Sequence, residues 1–348
     1  MSAVCPGAAT VWCQTRLRLL PVNSWPKHCL LPSSSIGPRA ERFVPRGFVF
    51  RASALSYLRR MAALLYYLLL KPLSLLPLRV LYVLADGLYY LLYYVFGYRK
   101  RVVFTNLRNA FPEKSATEIT AIARGFYRQL SDWIVESIRN FSVPLEEAKA
   151  RFRVLNPEIL QPLANQGRHV VLLCSHYANW ELLPLGGDPQ ITHQAVGIFA
   201  KLQNAFFNKK IIHSRQRHGA IVIDKHILRT VVNGHFDRPH LFCFIADQAP
   251  RKAEGDYLWS EFLNQDTPTM RGAEHVAVAH DWPVVYGYQR RVKRGYYTFE
   301  MEILTEHPRE LPPCEIMQQY NDRLQAQIRE APAHWLWSHK RWKRARPR

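Results

Sequence analysis

The sequence predicts an α/β domain with a mostly parallel central sheet flanked by helices, preceded by a membrane-anchoring helical segment. Five apolar runs of strand length recur from residue 169 onwards, and polar or amphipathic segments of helix length separate them. Such alternation is typical of parallel sheets whose strands are buried on both faces. The five runs are His169–Cys174, Ala195–Phe199, Ala220–Ile223, Leu241–Ala246 and Val284–Tyr288.

A long amphipathic helix is predicted ahead of these strands. Ser115 and Glu118 have the S-x-x-E spacing of a capping box and follow Pro112 closely. In such a box the two side chains satisfy backbone N–H groups that the first helical turn leaves unpaired. The amphipathic pattern then continues to about Phe141.

Residues 1–60 differ in composition from the rest of the chain. They carry nine Lys or Arg and one acid, Glu41, and show no helix or strand period. Arg-rich, acid-poor segments occur in transit peptides. Met61 opens a far more regular sequence, so we favour another interpretation, in which residues 1–60 are a non-native or disordered extension translated from upstream of the working start.

Residues 61–101 are predicted to anchor the chain in a membrane. Leu, Tyr and Val dominate this segment, which ends in the basic cluster Arg99–Arg101. A spanning helix needs about 20 apolar residues, and here charged residues and prolines interrupt the run. The segment therefore either spans through Val80–Phe96 or lies in the interface as a hairpin, and a buried helix pair is the alternative. The tyrosines and the basic cluster favour a membrane interface, with the following domain on the cytoplasmic side.

The net charge of +20 indicates an anionic partner. Nucleic acid, anionic lipid head groups and an acidic carrier protein all fit such a charge. The 48% hydrophobic content argues against a disordered chain. Cys174, Cys243 and Cys314 are far apart, which argues against a disulfide framework or a zinc site and indicates a reducing compartment.

The strongest candidate for chemistry is the pair His176 and Glu181 in the segment S-H-Y-A-N-W-E. His176 follows a buried strand directly, and the carboxyl ends of strands are where α/β sheets place their sites. A carboxylate within hydrogen-bond reach fixes the tautomer of an imidazole and stabilises the imidazolium, as hydroxyl activation requires. We expect His176 in the loop and Glu181 in the first helical turn, so that the two side chains meet. A capping His beside a surface Glu is the alternative.

The chain from Met61 to Arg348 resembles the lauroyl/myristoyl acyltransferases of lipid A biosynthesis, within the broader H-x4-D/E glycerolipid acyltransferase group. The resemblance rests on ordered segments that are each weak alone. They are R-V-V-F-T-N-L-R-N-A-F-P-E, S-H-Y-A-N-W-E, S-R-Q-R-H-G, A-D-Q-A-P, the stretch from Phe262 to Arg291 and P-A-H-W-L-W-S-H-K-R-W-K-R-A-R-P. The family often has H-F-G-N-W-E where this chain has H-Y-A-N-W-E, and such departures leave the acyl length and the acceptor open.

The resemblance implies an O-acyltransferase whose catalytic domain covers residues 102–348. His176 would deprotonate a hydroxyl of a lipid A precursor, Glu181 would orient His176, and the hydroxyl would attack an acyl thioester directly. Arg215 and Arg217 are candidates for stabilising the oxyanion or binding phosphate. No cofactor and no metal are implied. The donor would be acyl carrier protein or acyl-CoA, the acceptor an anionic lipid, and the location the bacterial inner membrane.

Four further positions are candidates for the substrate site, besides Asn179 within the H-x4-E segment. Asp247 and Gln248 follow the strand Leu241–Ala246 at another carboxyl edge, where they either contact substrate or cap a helix. Thr269 and Gly272 precede a predicted helix, as a Thr and a Gly do in the family. The N-terminus of that helix either lines the site, or the helix has only a structural role and these residues cap it.

Three other interpretations stay open at this point. The acceptor could be a different lipid or glycolipid hydroxyl. The chain could be a membrane-tethered nucleic-acid-binding protein, because Trp335, Trp337 and Trp342 alternate with basic residues in a way that suits base stacking. It could also be a non-catalytic membrane scaffold. The predicted anchor favours a bilayer surface for the C-terminal Trp residues and argues against nucleic acid, although a solvated basic tail with its Trp residues on the core is compatible.

Overall fold

Nine strands build the fold in a computed structural model that describes residues 60–252 and 255–346. Seven of them form one sheet in the order β1-β9-β8-β2-β5-β3-β4, and β6 and β7 form an antiparallel hairpin. The strands are β1 (Phe152–Val154), β2 (Val170–Cys174), β3 (Gln194–Phe199), β4 (Ile221–Asp224), β5 (His240–Ile245), β6 (Tyr257–Phe262), β7 (Gln265–Met270), β8 (Val284–Lys293) and β9 (Tyr296–Thr305).

The central sheet is mostly parallel, which confirms the predicted fold class. Strand β2 pairs in parallel with β5 and β8, and β3 pairs in parallel with β4 and β5. Only β1 and β9 run against the others, because β9 pairs antiparallel with β8. All five residues of β2 are buried, as expected for a strand covered on both faces.

Residues 60–65 are α-helical, and ten further α-helices follow in the described part of the chain. They are α1 (Lys71–Leu75), α2 (Leu78–Tyr90), α3 (Lys100–Ala110), α4 (Ala116–Arg139), α5 (Leu145–Arg151), α6 (Gln161–Asn165), α7 (Ala205–Arg215), α8 (Leu228–Val232), α9 (Gly272–His280) and α10 (Glu315–Glu330). The predicted capping box opens α4, where the Glu118 N–H donates to Ser115 Oγ and the Ser115 N–H donates to Glu118 Oε2. Helix α4 ends at Arg139, close to the predicted boundary.

The N-terminal segment is helical and exposes many apolar side chains. Leu78–Val95 is long and apolar enough to cross a membrane, with a mean hydropathy of 1.2 and 17% of its residues buried. One face of α2 nevertheless packs on the body, where Leu81 and Ala85 contact Val135 of α4. Polar contacts hold the same face, because Tyr82 donates to Glu136 at 3.0 Å and Asp86 pairs with Arg294 at 2.6 Å.

The C-terminal segment packs into the core, so the prediction that its Trp residues lie at a bilayer surface is wrong for Trp335 and Trp337. These two side chains are 2% and 0% exposed. Their rings contact each other edge to face at 4.8 Å. Arg341 is buried as well and donates to the Pro268 carbonyl at 2.7 Å. The prediction for residues 1–60 falls, apart from Arg60, outside the described residues.

Three histidines lie at the amino ends of the neighbouring strands β2, β5 and β3, at the sheet edge opposite to His176. They are His169, His240 and His193. Burial, and then the nearby histidines, lower the pKa of His169 to about 4. Burial also lowers the pKa values of His193 and His240. All three rings are therefore held in the neutral form.

The free energy of unfolding is expected to fall as the pH falls from about 6.5 toward 4. Each folded pKa lies below the unfolded value of about 6.5, so this contribution is complete above pH 6.5 and is lost at lower pH, where the unfolded chain takes up protons first. We expect a loss of about 1 kcal/mol or more between pH 7 and pH 5, measured by urea unfolding. His169→Gln keeps an acceptor for the His240 backbone N–H, and its free energy of unfolding should fall less between pH 7 and pH 5. A fall equal to that of the wild type would show that His169 does not cause this pH dependence.

Candidate functional site

The parallel register of β2 and β5 brings His176 and Asp247 together. Cys174 and Ile245 are paired at the carboxyl ends of these two strands. His176 and Asp247 each follow two residues later, so the two chains deliver them to the same point of the sheet edge. The site therefore arises from neighbouring strands that are distant in sequence.

Asp247 is the carboxylate that holds the His176 ring. Its Oδ1 lies 2.7 Å from His176 Nδ1, while its Oδ2 accepts the His176 backbone N–H and the Trp335 indole N–H, both at 2.9 Å. Burial opposes ionisation of this carboxyl, but the charge and the hydrogen bonds of His176, together with Trp335, outweigh it and keep the pKa of Asp247 below its ordinary value. An ionised Asp247 fixes the proton on Nδ1 and leaves Nε2 as the basic nitrogen.

Glu181 has a different hydrogen-bond partner from the one predicted. It is in a 3₁₀ turn (Trp180–Leu182), as the sequence suggested, but its carboxylate accepts two hydrogen bonds from Arg215, from Nε at 2.8 Å and from Nη2 at 2.6 Å. The predicted His176–Glu181 contact is replaced by His176–Asp247 in this structure. The reason is geometric, because the sheet already supplies a carboxylate at the imidazole and Arg215 of α7 holds Glu181 in a bidentate pair.

Two further groups surround the imidazole. Gln248 Nε2 lies 3.2 Å from His176 Nε2, so the amide donates to the nitrogen that Asp247 leaves free. The Trp180 ring contacts the His176 ring edge to face at 5.0 Å, and Trp133 of α4 stacks on Trp180 at 4.7 Å. The base is therefore partly covered, and the His176 side chain is 18% exposed.

The other predicted site residues occupy separate positions in the fold. Asn179 is fully buried and donates to Glu136, which also pairs with Arg151 at 3.0 Å. Thr269 is fully buried against Asn321 and Arg341. Gly272 begins α9 as predicted.

Arg217 does not pair with Glu181 or His176. Its guanidinium donates to the backbone carbonyls of Phe141 and Val143, in the turn that follows α4. Arg215 and Arg217 are therefore held by different partners, although both predicted arginines lie close to the same turn of the chain.

A cavity of about 290 Å³ lies beside the Glu181–Arg215 pair. The walls come from α4, α7, the turn around Glu181 and the N-terminal helical segment, and they are predominantly apolar. The lining includes Leu70, Trp133, Ser137, Asn140, Phe207 and Ile211. Within the part of the chain that the structure describes, no group of three or more His, Cys, Asp or Glu side chains is arranged to hold a metal ion.

A family model for bacterial lipid A biosynthesis acyltransferases matches residues 50–344. The chain belongs to this family. Membership means an enzyme that transfers an acyl group, with an acyl donor and a lipid acceptor. No curated protein matches the chain.

The backbone at Ala178, in the loop that carries His176, stores strain. Ala178 has a φ of 50°, a left-handed conformation that costs a residue with a Cβ about 1–2 kcal/mol. The Ala178 N–H donates to the His334 carbonyl at 2.9 Å, and Tyr177 forms a β-bridge with Trp335. The C-terminal segment therefore holds the His176 loop in its strained shape.

Sequence reasoning missed Trp335 and Glu136 as parts of this acyltransferase site. Trp335 donates the third hydrogen bond to Asp247, and Glu136, in the last turn of α4, accepts a hydrogen bond from Asn179. The sequence did carry one signal for Glu136, because it lies one residue after Val135 on the apolar side of an amphipathic helix. An acid in that position is rarely buried unless it is paired.

Proposed function

We propose that the protein transfers a fatty acyl chain from an acyl thioester to a hydroxyl of a lipid A precursor, with His176 as the general base and Asp247 as its orienting carboxylate. The His176 Nδ1–Asp247 Oδ1 contact of 2.7 Å is the observation that carries the proposal. It supports an imidazole whose Nδ1 is held by Asp247 and whose Nε2 accepts a proton. The donor is an acyl carrier protein or acyl-CoA thioester.

The reaction needs one proton acceptor and one oxyanion stabiliser. The acceptor hydroxyl takes the place of the Gln248 amide at Nε2 and loses its proton to His176 as its oxygen attacks the thioester carbon. The carbon–sulfur bond then breaks, and the imidazolium returns the proton to the leaving thiolate. Asp247 stabilises the imidazolium between these two steps.

Arg215 is the group proposed to stabilise the developing oxyanion. Its Nε and Nη2 donate to Glu181, so the carboxylate fixes the plane of the guanidinium and leaves Nη1 for the substrate. Burial lowers the pKa of Arg215, but the Glu181 carboxylate more than offsets this, and the group stays charged. A fixed cation stabilises an oxyanion without reorganisation.

A cluster of three cations supports an anionic acceptor lipid. Lys71, Lys210 and Arg217 form no ion pair within residues 60–252 and 255–346. Burial, and then Arg217 and Lys210, lower the pKa of Lys71, so the three charges act on one another. Arg217 and the cavity wall share Phe141, which places the cations beside the cavity. A phosphate group would relieve this repulsion.

The exposed apolar surface of the N-terminal helices supports a position at the bacterial inner membrane. Tyr67, Leu68, Val83 and Phe96 are all more than half exposed, and an apolar surface of this kind is unfavourable in water. The opposite face of α2 is fixed to the body through Tyr82 and Asp86, as described above. That arrangement supports an anchor lying in the interface. The basic cluster Arg99–Arg101 supports a catalytic domain on the cytoplasmic side.

Lipid mass spectrometry of cells that lack the protein tests the function. Loss of the protein should remove one acyl chain from lipid A, and the wild-type protein should restore it. His176→Ala should not restore it, because no base remains at the acceptor hydroxyl. Equal restoration by both proteins would remove His176 from the mechanism, and an unchanged lipid A profile would exclude this acceptor.

Glu181 and Arg215 are expected to act as one unit in catalysis. Glu181→Gln and Arg215→Gln should each lower kcat about 10²-fold, because the first weakens the contact that positions the Arg215 guanidinium and the second removes this oxyanion donor. The double variant should be close to either single variant. Steady-state rates of the purified variants measure this, with Arg323→Gln, which breaks an ion pair to Glu302, as a control that keeps its rate. If the kcat loss of the double variant equalled the product of the two single losses, Glu181 and Arg215 would have independent roles.

A further inference from the structure

Tyr82 of α2 contacts the body of the protein through its hydroxyl, its ring and its backbone carbonyl. The hydroxyl donates to Glu136 Oε1 at 3.0 Å. The Arg294 guanidinium lies 4.4 Å from the centroid of the ring and donates to the Tyr82 carbonyl at 3.3 Å. Gly295 follows with a φ of 81°, and a Cβ at this position would lie 2.0 Å from the Tyr82 hydroxyl oxygen. The turn between β8 and β9 can therefore approach this hydroxyl so closely because residue 295 is a glycine.

The first hydrogen-bond network, here called the glutamate network, runs from Tyr82 through Glu136 to Asn179. Glu136 Oε1 accepts from Tyr82, and its Oε2 accepts from the Asn179 side-chain amide. Glu136 and Asn179 are both fully buried, so water does not compete for these hydrogen bonds, and they are stronger than they would be at the surface. Asn179 lies three residues after His176 in the same loop. The glutamate network therefore connects α2 with the loop that carries His176.

The second network, here called the arginine network, starts at the guanidinium that covers the tyrosine ring. Arg294 donates through Nε to Asp132 Oδ1 at 2.9 Å, and Asp132 Oδ2 accepts from Arg291 Nη2 at 2.8 Å. Arg291 also donates to Gln129 Oε1, and Gln129 Nε2 donates to the Ala178 carbonyl at 3.3 Å. Asp132 and Gln129 are 2% and 4% exposed. The arginine network therefore reaches the same loop through side chains of the β8–β9 hairpin and α4.

The two networks end on consecutive residues of the His176 loop. Ala178 accepts at its carbonyl and has the strained φ of 50°, and Asn179 donates from its side chain. A strained backbone keeps its shape where its surroundings hold it. The loop sets the place of the imidazole, and a displacement of about 1 Å in an active site can lower a rate about 10²-fold. The contacts of one residue in α2 therefore bear on the reaction rate.

We propose that Tyr82 is a positioning residue for acyl transfer, and that it acts through the glutamate and arginine networks to fix the shape of the His176 loop. Helix α2 is then a support of the active site as well as a part of the anchor. This role rests on the proposed function of His176 as the general base. A change at Tyr82 alters the turnover rate and leaves substrate binding unaltered, because Tyr82 touches the loop through other side chains.

Tyr82→Phe tests the proposal, because it removes the hydroxyl from the glutamate network and keeps the ring beside Arg294. With dodecanoyl thioesters of carrier protein and CoA as donors and a lipid A precursor as acceptor, kcat of the purified full chain in lipid nanodiscs should fall about tenfold. KM should stay within about twofold of the wild-type value. In the Asn179→Ala background the same substitution should have almost no further effect on kcat, because the glutamate network is already interrupted.

Tyr127→Phe is the matched control. The Tyr127 hydroxyl also joins α4 to the N-terminal segment, through the Tyr98 carbonyl, and lies outside both networks. Its removal should leave kcat at the wild-type value.

A purely structural Tyr82 would give a variant with a lower midpoint of thermal unfolding and an unchanged kcat of the folded enzyme, which would overturn the proposal. A raised KM at unchanged kcat would overturn it too, because Tyr82 would then contact a substrate. Losses in kcat of Tyr82→Phe and Asn179→Ala that multiply in the double variant would show that the two residues act separately, with the same consequence. Tyr82→Phe alone decides if Asn179→Ala fails to fold.

Hydrogen–deuterium exchange tests the positioning without catalysis. The backbone amides of residues 176–181 should exchange faster in Tyr82→Phe than in the wild type and in Tyr127→Phe, because the loop loses one of its supports. Equal exchange in all three proteins would contradict the proposal. The lipid A profile and His176→Ala test the acyl transfer itself, so a failure of that function remains distinguishable from a failure of the positioning role.

Discussion

Asp247→Asn is expected to lower the rate of acyl transfer by about 10²- to 10⁴-fold. An amide in this position does not stabilise the imidazolium, and it no longer fixes the proton of His176 on Nδ1. The contact between Asp247 Oδ1 and His176 Nδ1 is 2.7 Å long, and Asp247 accepts two more N–H groups through Oδ2. The effect should appear in kcat measured with saturating donor.

Thermal unfolding must show that Asp247→Asn still folds, since the carboxylate is buried. Asp266→Asn on β7 is the matched control, because Asp266 is exposed, and it should keep the wild-type rate. Trp335→Phe removes one of the three donors to Asp247 and should have a smaller effect, about tenfold. An Asp247→Asn rate within tenfold of wild type would mean that another group orients His176.

Arg151→Met is expected to lower the free energy of unfolding by about 3–5 kcal/mol. Arg151 is 1% exposed and Glu136 is 0% exposed, and their N–O distance is 3.0 Å. Without Arg151 the Glu136 carboxylate is buried without a countercharge. The Tyr297 hydroxyl and Asn179 still donate to it, but neither carries a charge. Urea unfolding monitored by tryptophan fluorescence measures the loss.

The pH dependence of this loss identifies its cause. Burial, despite Arg151, raises the pKa of Glu136 above its ordinary value. A carboxyl whose folded pKa is raised stabilises the fold fully below its unfolded pKa, about 4.3, and that stability is lost as the pH rises through the folded pKa. The Arg151→Met loss should therefore be larger at pH 8 than at pH 5. The double variant Glu136→Gln/Arg151→Met should lose less than the sum of its single variants, and strict additivity would contradict a direct charge pair.

The strands and α4 were predictable because their signals are local. Continuous apolar runs identify β2, β3, β4, β5 and β8, and the Ser115–Glu118 capping box identifies the start of α4. The carboxylate partner of His176 depends instead on strand order. Strand β5 lies next to β2 although β3 and β4 come between them in sequence, and nothing local encodes that order. Asp247 was thus found as a polar residue at a strand end, whereas its contact with His176 was not.

The prediction for the C-terminal Trp residues was wrong for a related reason. Alternating Trp and basic residues are suited to a bilayer surface. They are equally suited to a protein core in which backbone carbonyls accept hydrogen bonds from the basic side chains. Arg341 takes the second option through the Pro268 carbonyl and Thr269 Oγ1. Only the position of the β6–β7 hairpin decides between them, and that position is a property of the assembled fold.

The hydrogen bond from Trp335 to Asp247 means that the site is completed late in the synthesis of the chain. Trp335 lies 88 residues after Asp247 in the chain, so at about 5–20 residues per second a ribosome adds it roughly 4–18 s later. The apolar N-terminal helices are synthesised long before that. A nascent or prematurely terminated chain that ends before residue 335 therefore lacks one of the three hydrogen bonds to the Asp247 carboxylate. Full reactivity toward the acyl donor begins only when translation has passed this tryptophan.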